Sequence, residues 1–103
     1  MSEIFFEVET PLGFKVRTTQ AYWQKITSFK HPIMKGRERS VIEALKEPCE
    51  VRRSKRDPRV FLFYAKTEKY WVCAVAKRLN GEGFLVTAYL TDKIKEGEKI
   101  WPK

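Results

Sequence analysis

The chain has 103 residues, enough for one domain with one core but too few for a large cofactor cleft. Its 21 lysines and arginines against 13 acidic residues give a net charge of +8, which favours a polyanion such as RNA or DNA over an anionic membrane surface. No apolar run approaches the roughly eighteen residues of a membrane span, and the N-terminus Met1-Ser-Glu-Ile-Phe-Phe-Glu7 lacks the basic region and cleavage site of a signal peptide. Cys49 and Cys73 stand apart without CxxC spacing. The reading is a soluble, cytoplasmic protein with both cysteines reduced and partly buried, no disulfide framework and no membrane partner.

In chain order, Ile4 to Glu9 and Phe14 to Thr19 flank Thr10-Pro-Leu-Gly13 and read as a hairpin. Thr19 then caps a short helix carrying Ala21, Tyr22, Trp23 and Ile26, which breaks around Ser28 to Pro32. A second helix is expected from Gly36 to Lys46, with Val41, Ile42 and Leu45 on one face and Arg37, Glu38, Glu43 and Lys46 in solvent; Pro48 ends it. Strands follow at 49–54, 60–66, 70–77 and 83–90, joined by Thr67-Glu-Lys69 and by Leu79-Asn-Gly-Glu82, where Asn80-Gly81 is a tight-turn signal. Such short connections suit an antiparallel meander of about four strands. Because helices precede strands, the fold class is α+β: an N-terminal hairpin and two helices packed on one face of a roughly four-stranded antiparallel sheet, its other face open. Residues 93–101 read as a loose tail or a closing strand, and residues 1–103 as a single domain.

Metal-free RNA cleavage needs a group to deprotonate the ribose 2′-OH, a group to protonate the leaving 5′ oxygen, and cations or donors for the charged phosphorane. His31, the single histidine, is the natural proton-transfer group, since an imidazole titrates at about 6.5; Pro32 after it restricts the backbone and can aim the ring at the sheet. Its other reading is a surface or capping residue. In the basic connection Val51-Arg-Arg-Ser-Lys-Arg-Asp-Pro-Arg59, strand alternation puts Arg52 and Ser54 on one face and Arg53 on the other. Lys55, Arg56 and Arg59 surround the Asp57-Pro58 turn, where they clamp phosphates or are solvated loop charges, with Asp57 a turn residue or arginine partner.

On the last strand Phe84, Val86, Ala88 and Leu90 are the expected core side, and Leu85, Thr87 and Tyr89 the other. Thr87 and Tyr89 can bond phosphate oxygens. Tyr89 or Tyr64 can stack on a base, or transfer a proton where neighbouring cations lower its pKa. Lys66 lies on the same kind of polar stripe, and the competing reading is that these are strand formers on a half-exposed face. Trp71 and Trp101 read as packing residues. One histidine with two dispersed cysteines makes no zinc constellation, and GxxxxGK[ST], GxGxxG and HExxH patterns are missing, so no metal, nucleotide or flavin cofactor is indicated. Ser40 and Ser54 lack a nucleophile context.

Lys30-His-Pro32 ahead of a helix ending at Glu47-Pro48, then Val51-Arg-Arg-Ser54, Asp57-Pro58, Phe61-Leu-Phe-Tyr64, Val72-Cys-Ala-Val75 and Gly83-Phe-Leu-Val-Thr-Ala-Tyr89, resembles the small phage and bacterial nucleases of the barnase, EndoU, colicin and RelE superfamily. The resemblance spans residues 30–101 and rests on element order and scattered positions; the leading hairpin stands outside it. It implies a barnase/RelE-like sheet whose open face cleaves RNA without a metal, giving a 2′,3′-cyclic phosphate. By this likeness His31 transfers protons, Arg52 binds phosphate, Thr87 and Tyr89 position or protonate the leaving group, and Tyr64 joins the catalytic set. Arg53, Ser54, Lys55, Arg56, Arg59 and Lys66 are the expected RNA contacts. The implied partners are single-stranded or ribosome-associated RNA and, for a toxin of a toxin and antitoxin pair, an acidic antitoxin or immunity protein. A noncatalytic RNA-binding module and a basic protein-interaction domain are the alternatives.

Overall fold

Turn chemistry sets the first strand pair. Gly13 adopts a φ of 86°, and the Thr10 hydroxyl donates to the Phe14 carbonyl while accepting the Leu12 N–H. Strands β1 (Ile4–Glu9) and β2 (Lys15–Thr19) therefore pair antiparallel. The computed structural model describes residues 3–94 and 96–103. Thr19 Oγ1 accepts the Tyr22 N–H and caps helix α1 (Gln20–Lys25), as its residue type predicts. The chain continues through a π-helical turn, Ile26–Lys30, and, after His31, a 3-10 turn, Pro32–Met34. Helix α2 (Glu38–Lys46) begins two residues later than expected, because Gly36 holds a φ of 81° outside helical space. It turns Val41, Ala44 and Leu45 inward.

The four meander strands form as expected: β3 (Glu50–Arg53), β4 (Val60–Lys66), β5 (Trp71–Leu79) and β6 (Glu82–Thr91), each antiparallel to the next. Asn80 and Gly81, both at positive φ, make the two-residue turn between β5 and β6. The sheet is larger than predicted. It has seven strands in the order β1-β2-β6-β5-β4-β3-β7 and is mixed, correcting the four-stranded antiparallel expectation. On one side β7 (Glu98–Trp101) pairs with β3, so the C-terminal segment is a closing strand. On the other, the hairpin extends the sheet instead of packing on its face, through two parallel pairs, Val16 with Gly83 and Arg17 with Phe84. Gly83 permits this approach, since a Cβ there would stand 2.7 Å from the Lys15 carbonyl oxygen and 2.9 Å from the Phe14 ring.

Both helices cover one face. Trp23, Ile26, Met34, Val41 and Leu45 pack with Phe61, Phe63, Val72, Ala74 and Leu85 in the main core. A register shift opposite Val75 and Ala76 pairs Ala76 with Leu85 but Val75 with Thr87, leaving Val86 as the extra residue of a β-bulge. The bulge corrects the predicted faces of β6. Leu85, expected outward, is buried with Ala88, whereas Phe84 and Val86, expected in the core, lie outside it. The Val86 carbonyl accepts from the Tyr22 hydroxyl at 2.7 Å and from Lys30 Nζ at 3.3 Å. Tyr22→Phe is therefore expected to cost about 0.5–1.5 kcal/mol in denaturant unfolding, with Lys30 keeping the carbonyl partly satisfied.

Cys73 is buried as expected, but Cys49 is exposed, because β3 starts after it and Pro48 takes the buried position. Native protein should thus react with a maleimide at Cys49 alone, and Cys73 should label only on unfolding. None of the described helices is long and apolar enough to cross a membrane.

Candidate functional site

The face of β3–β6 away from the helices carries the polar residues. Strand register places Glu50, Tyr64, Cys73 and Tyr89 side by side in one row, and Arg52, Leu62, Val75 and Thr87 in the next. The shared face of Tyr64, Thr87 and Tyr89, left open by alternation alone, is thereby settled. Two hollows adjoin here. One, of about 350 Å³, is lined by His31, Tyr64, Thr87, Tyr89, Lys93 and Glu96. The other, of about 560 Å³, is lined by Ser54, Lys55, Arg56 and Leu62 and shares Thr87, Tyr89 and Glu96 with the first.

His31 reaches this face although its segment starts among the helices. Beyond its two pairs with β2, the rest of β6 meets the π and 3-10 turns, which carry the chain round that edge. The His31 N–H donates to the Ile26 carbonyl at 2.7 Å, its carbonyl accepts the Met34 N–H, and Pro32 starts the 3-10 turn. The imidazole lies against Tyr89 with ring centroids 5.6 Å apart.

Tyr64 is almost fully buried, so it forms the floor of the hollow and cannot stack on a base. Burial, reinforced by the adjacent Cys73 thiol, pushes Tyr64 and Tyr89 above the ordinary tyrosine value, and burial raises Cys73 from 9.0 to about 12. The condition for proton transfer, a pKa lowered by neighbouring cations, is not met, and both tyrosines stay neutral at ordinary pH. A raised folded-state pKa stabilises the fold below the unfolded pKa and loses that stability as pH rises. Stability is therefore expected to stay level from neutral pH to about pH 9 and to fall above it, with the tyrosinate absorbance of Tyr64 and Tyr89 appearing together with unfolding. The Thr87 hydroxyl, at the junction of the hollows, is buried without a hydrogen-bond partner.

The basic connection is divided. Lys55 and Arg56 are exposed beside the second hollow, and Ser54 Oγ is occupied in accepting the Arg56 and Asp57 N–H groups of the turn. Alternation puts Arg52 and Arg53 on opposite faces, and pairing with Leu62 turns Arg52 to the site, but its Nε is held by Glu50 at 2.6 Å and its Nη1 by the Gly97 carbonyl at 3.3 Å. That partly buried pair makes Arg52 a brace and removes it as the free phosphate-binding cation. Arg53 lies over the Phe61 ring on the helix side, away from the site. Arg59 is bonded to Asp57, whose carboxyl its hydrogen bonds hold down at about 2, so Asp57 is the arginine partner that its place in the turn suggested. Lys66 lies over Trp71 outside both hollows.

The sequence reading missed Glu96 and Lys93. Ile94 packs on the apolar cluster of this face, and Gly97 lies against β3, so Lys93 and Glu96, each next to one of these anchors, reach the site. The signal was the apolar pair Ile100-Trp101, which packs on the main core and anchors the segment as β7. Among the described residues no group of three or more His, Cys, Asp or Glu is arranged to hold a metal ion. Comparison with protein-family models, curated proteins and solved structures gives no match for this chain.

Proposed function

We propose that the protein is a metal-independent endoribonuclease that cleaves RNA by attack of the 2′-OH on the adjacent phosphate, giving a 2′,3′-cyclic phosphate. The observation that carries this reading is the convergence of His31, Thr87 and Tyr89 in a hollow that adjoins one lined by Lys55 and Arg56. His31 takes the 2′-OH proton. Tyr89, held neutral, and Thr87 hydrogen-bond the phosphate, and the 5′ oxygen, leaving as its bond to phosphorus breaks, takes a proton from water. Lys55, Arg56 and Lys93 supply the positive charge that Arg52 does not. A meander with helices on one face and this cluster on the other supports a barnase/RelE-like reading, and with it a cytoplasmic toxin opposed by an acidic antitoxin or immunity protein.

One observation favours a second reading. With Arg52 neutralised by Glu50, the phosphorane lacks a buried arginine, which suits an RNA-binding module without turnover. Incubating the protein with a defined single-stranded RNA in EDTA separates the two. Cleavage that is reduced in both Tyr89→Phe and Thr87→Val supports the nuclease; tight, salt-sensitive binding with intact RNA supports the binding module; neither binding nor cleavage overturns both.

A further inference from the structure

A second cleft opens on the other side of β6, where β2 leaves it after the Arg17–Phe84 pair. Its volume is about 590 Å³, and Ile4, Leu79, Phe84 and Val86 give it apolar walls. Thr18, only 5% exposed, is one of its wall residues, and its hydroxyl lies behind that wall, closed to solvent and without a hydrogen-bond partner. The Arg17 guanidinium lies 4.8 Å from the centre of the Phe84 ring, a flat cationic stack at the mouth. Lys77, paired across the strands with Phe84, adds a second cation. Each is tied only loosely, Arg17 to the well-exposed Glu82 at 3.4 Å and Lys77 to Asp57 at 3.4 Å.

We propose that this cleft is a nucleotide-binding site: a planar base wedges between β2 and β6 where their pairing ends, parting them far enough to bond the Thr18 hydroxyl, while its phosphate meets Arg17 and Lys77. Aromatic and guanidinium planes stack on any base, and a buried unpartnered hydroxyl gains most from a ligand carrying a polar edge on a flat apolar body. The site rests on the RNA reading for its source, a nucleotide of the strand that crosses the open face toward His31; a free mononucleotide carries the same chemistry.

The test follows backbone amide NMR signals of ¹⁵N-labelled protein during titration with a 2′-O-methyl hexaribonucleotide, which cannot be cleaved, and with the four 5′-mononucleotides. Shifts at Thr18, Phe84 and Val86 with the hexamer support the RNA source, and equal shifts with a mononucleotide assign the site to free nucleotides. Thr18→Val should weaken binding roughly three- to tenfold while melting no lower than wild type, because it removes an unpartnered buried hydroxyl. Arg17→Gln should flatten the salt dependence. Shifts confined to the His31 and Tyr89 region, with Thr18→Val binding like wild type, would overturn the site and leave the ribonuclease reading intact. Failure of that reading shows separately, as unmodified RNA left whole.

Discussion

A His31→Ala variant is expected to lose RNA cleavage by about 10²–10⁴-fold while keeping its fold and its affinity for uncleavable RNA. The chain has one histidine, so no other imidazole can replace it as proton acceptor. Tyr64, Tyr89 and Cys73 cannot substitute, since burial holds all three protonated at neutral pH. Glu96 is the one carboxylate that lines the same hollow among the described residues, and it sets the expected residual activity. Stability should change little, because the His31 hydrogen bonds run through its backbone and the ring is half-exposed. Initial rates and circular dichroism on the same preparations test both halves. Loss of cleavage together with the fold would make His31 a packing residue.

Gly97→Val is expected to destabilise the protein by about 2–4 kcal/mol and to weaken RNA binding as well. Gly97 has a φ of 85°, and a Cβ there would lie 2.7 Å from the Arg53 carbonyl oxygen and 3.0 Å from the Arg52 Cβ. The obstacle is mostly backbone, so strand or loop has to move. If the loop lifts, the Arg52 bond to the Gly97 carbonyl breaks, and Glu96 and Lys93 leave the hollow. Gly97→Ala should act in the same direction with a smaller effect. Denaturant melts and RNA titrations of both variants test the link, and a destabilised variant with unchanged affinity would detach the loop from the site.

Local chemistry was legible in the sequence because it is decided within a few residues. Thr19 as a cap, the Asn80-Gly81 turn and the four meander strands follow from residue type and spacing. The strip of Thr87 and Tyr89 was legible because alternation resumes after the bulge. The parallel joining of β2 to β6 was not, since it depends on Gly83 meeting a segment nearly seventy positions away, and the local pattern of the hairpin suits packing on a sheet face equally well. The bulge at Val86 was equally hidden; its carbonyl is satisfied by Tyr22 and Lys30 from a helical segment remote in the chain. The Arg52 brace was within reach. Glu50 stands two residues earlier on the same strand, and period-two geometry puts both on one face, yet the basic run drew the reading toward phosphate.

The proposal that His31 and the adjoining hydroxyls direct a 2′-OH at phosphate meets its most direct test with a DNA oligonucleotide carrying a single ribonucleotide. The oligonucleotide is incubated with the protein in EDTA, and the product ends are weighed by mass spectrometry. The account predicts one cut, on the 3′ side of the ribonucleotide, leaving a 2′,3′-cyclic phosphate, and no cut when that position is 2′-deoxy. Equal cleavage of the all-deoxy strand, or products ending in a 3′-hydroxyl, would contradict it.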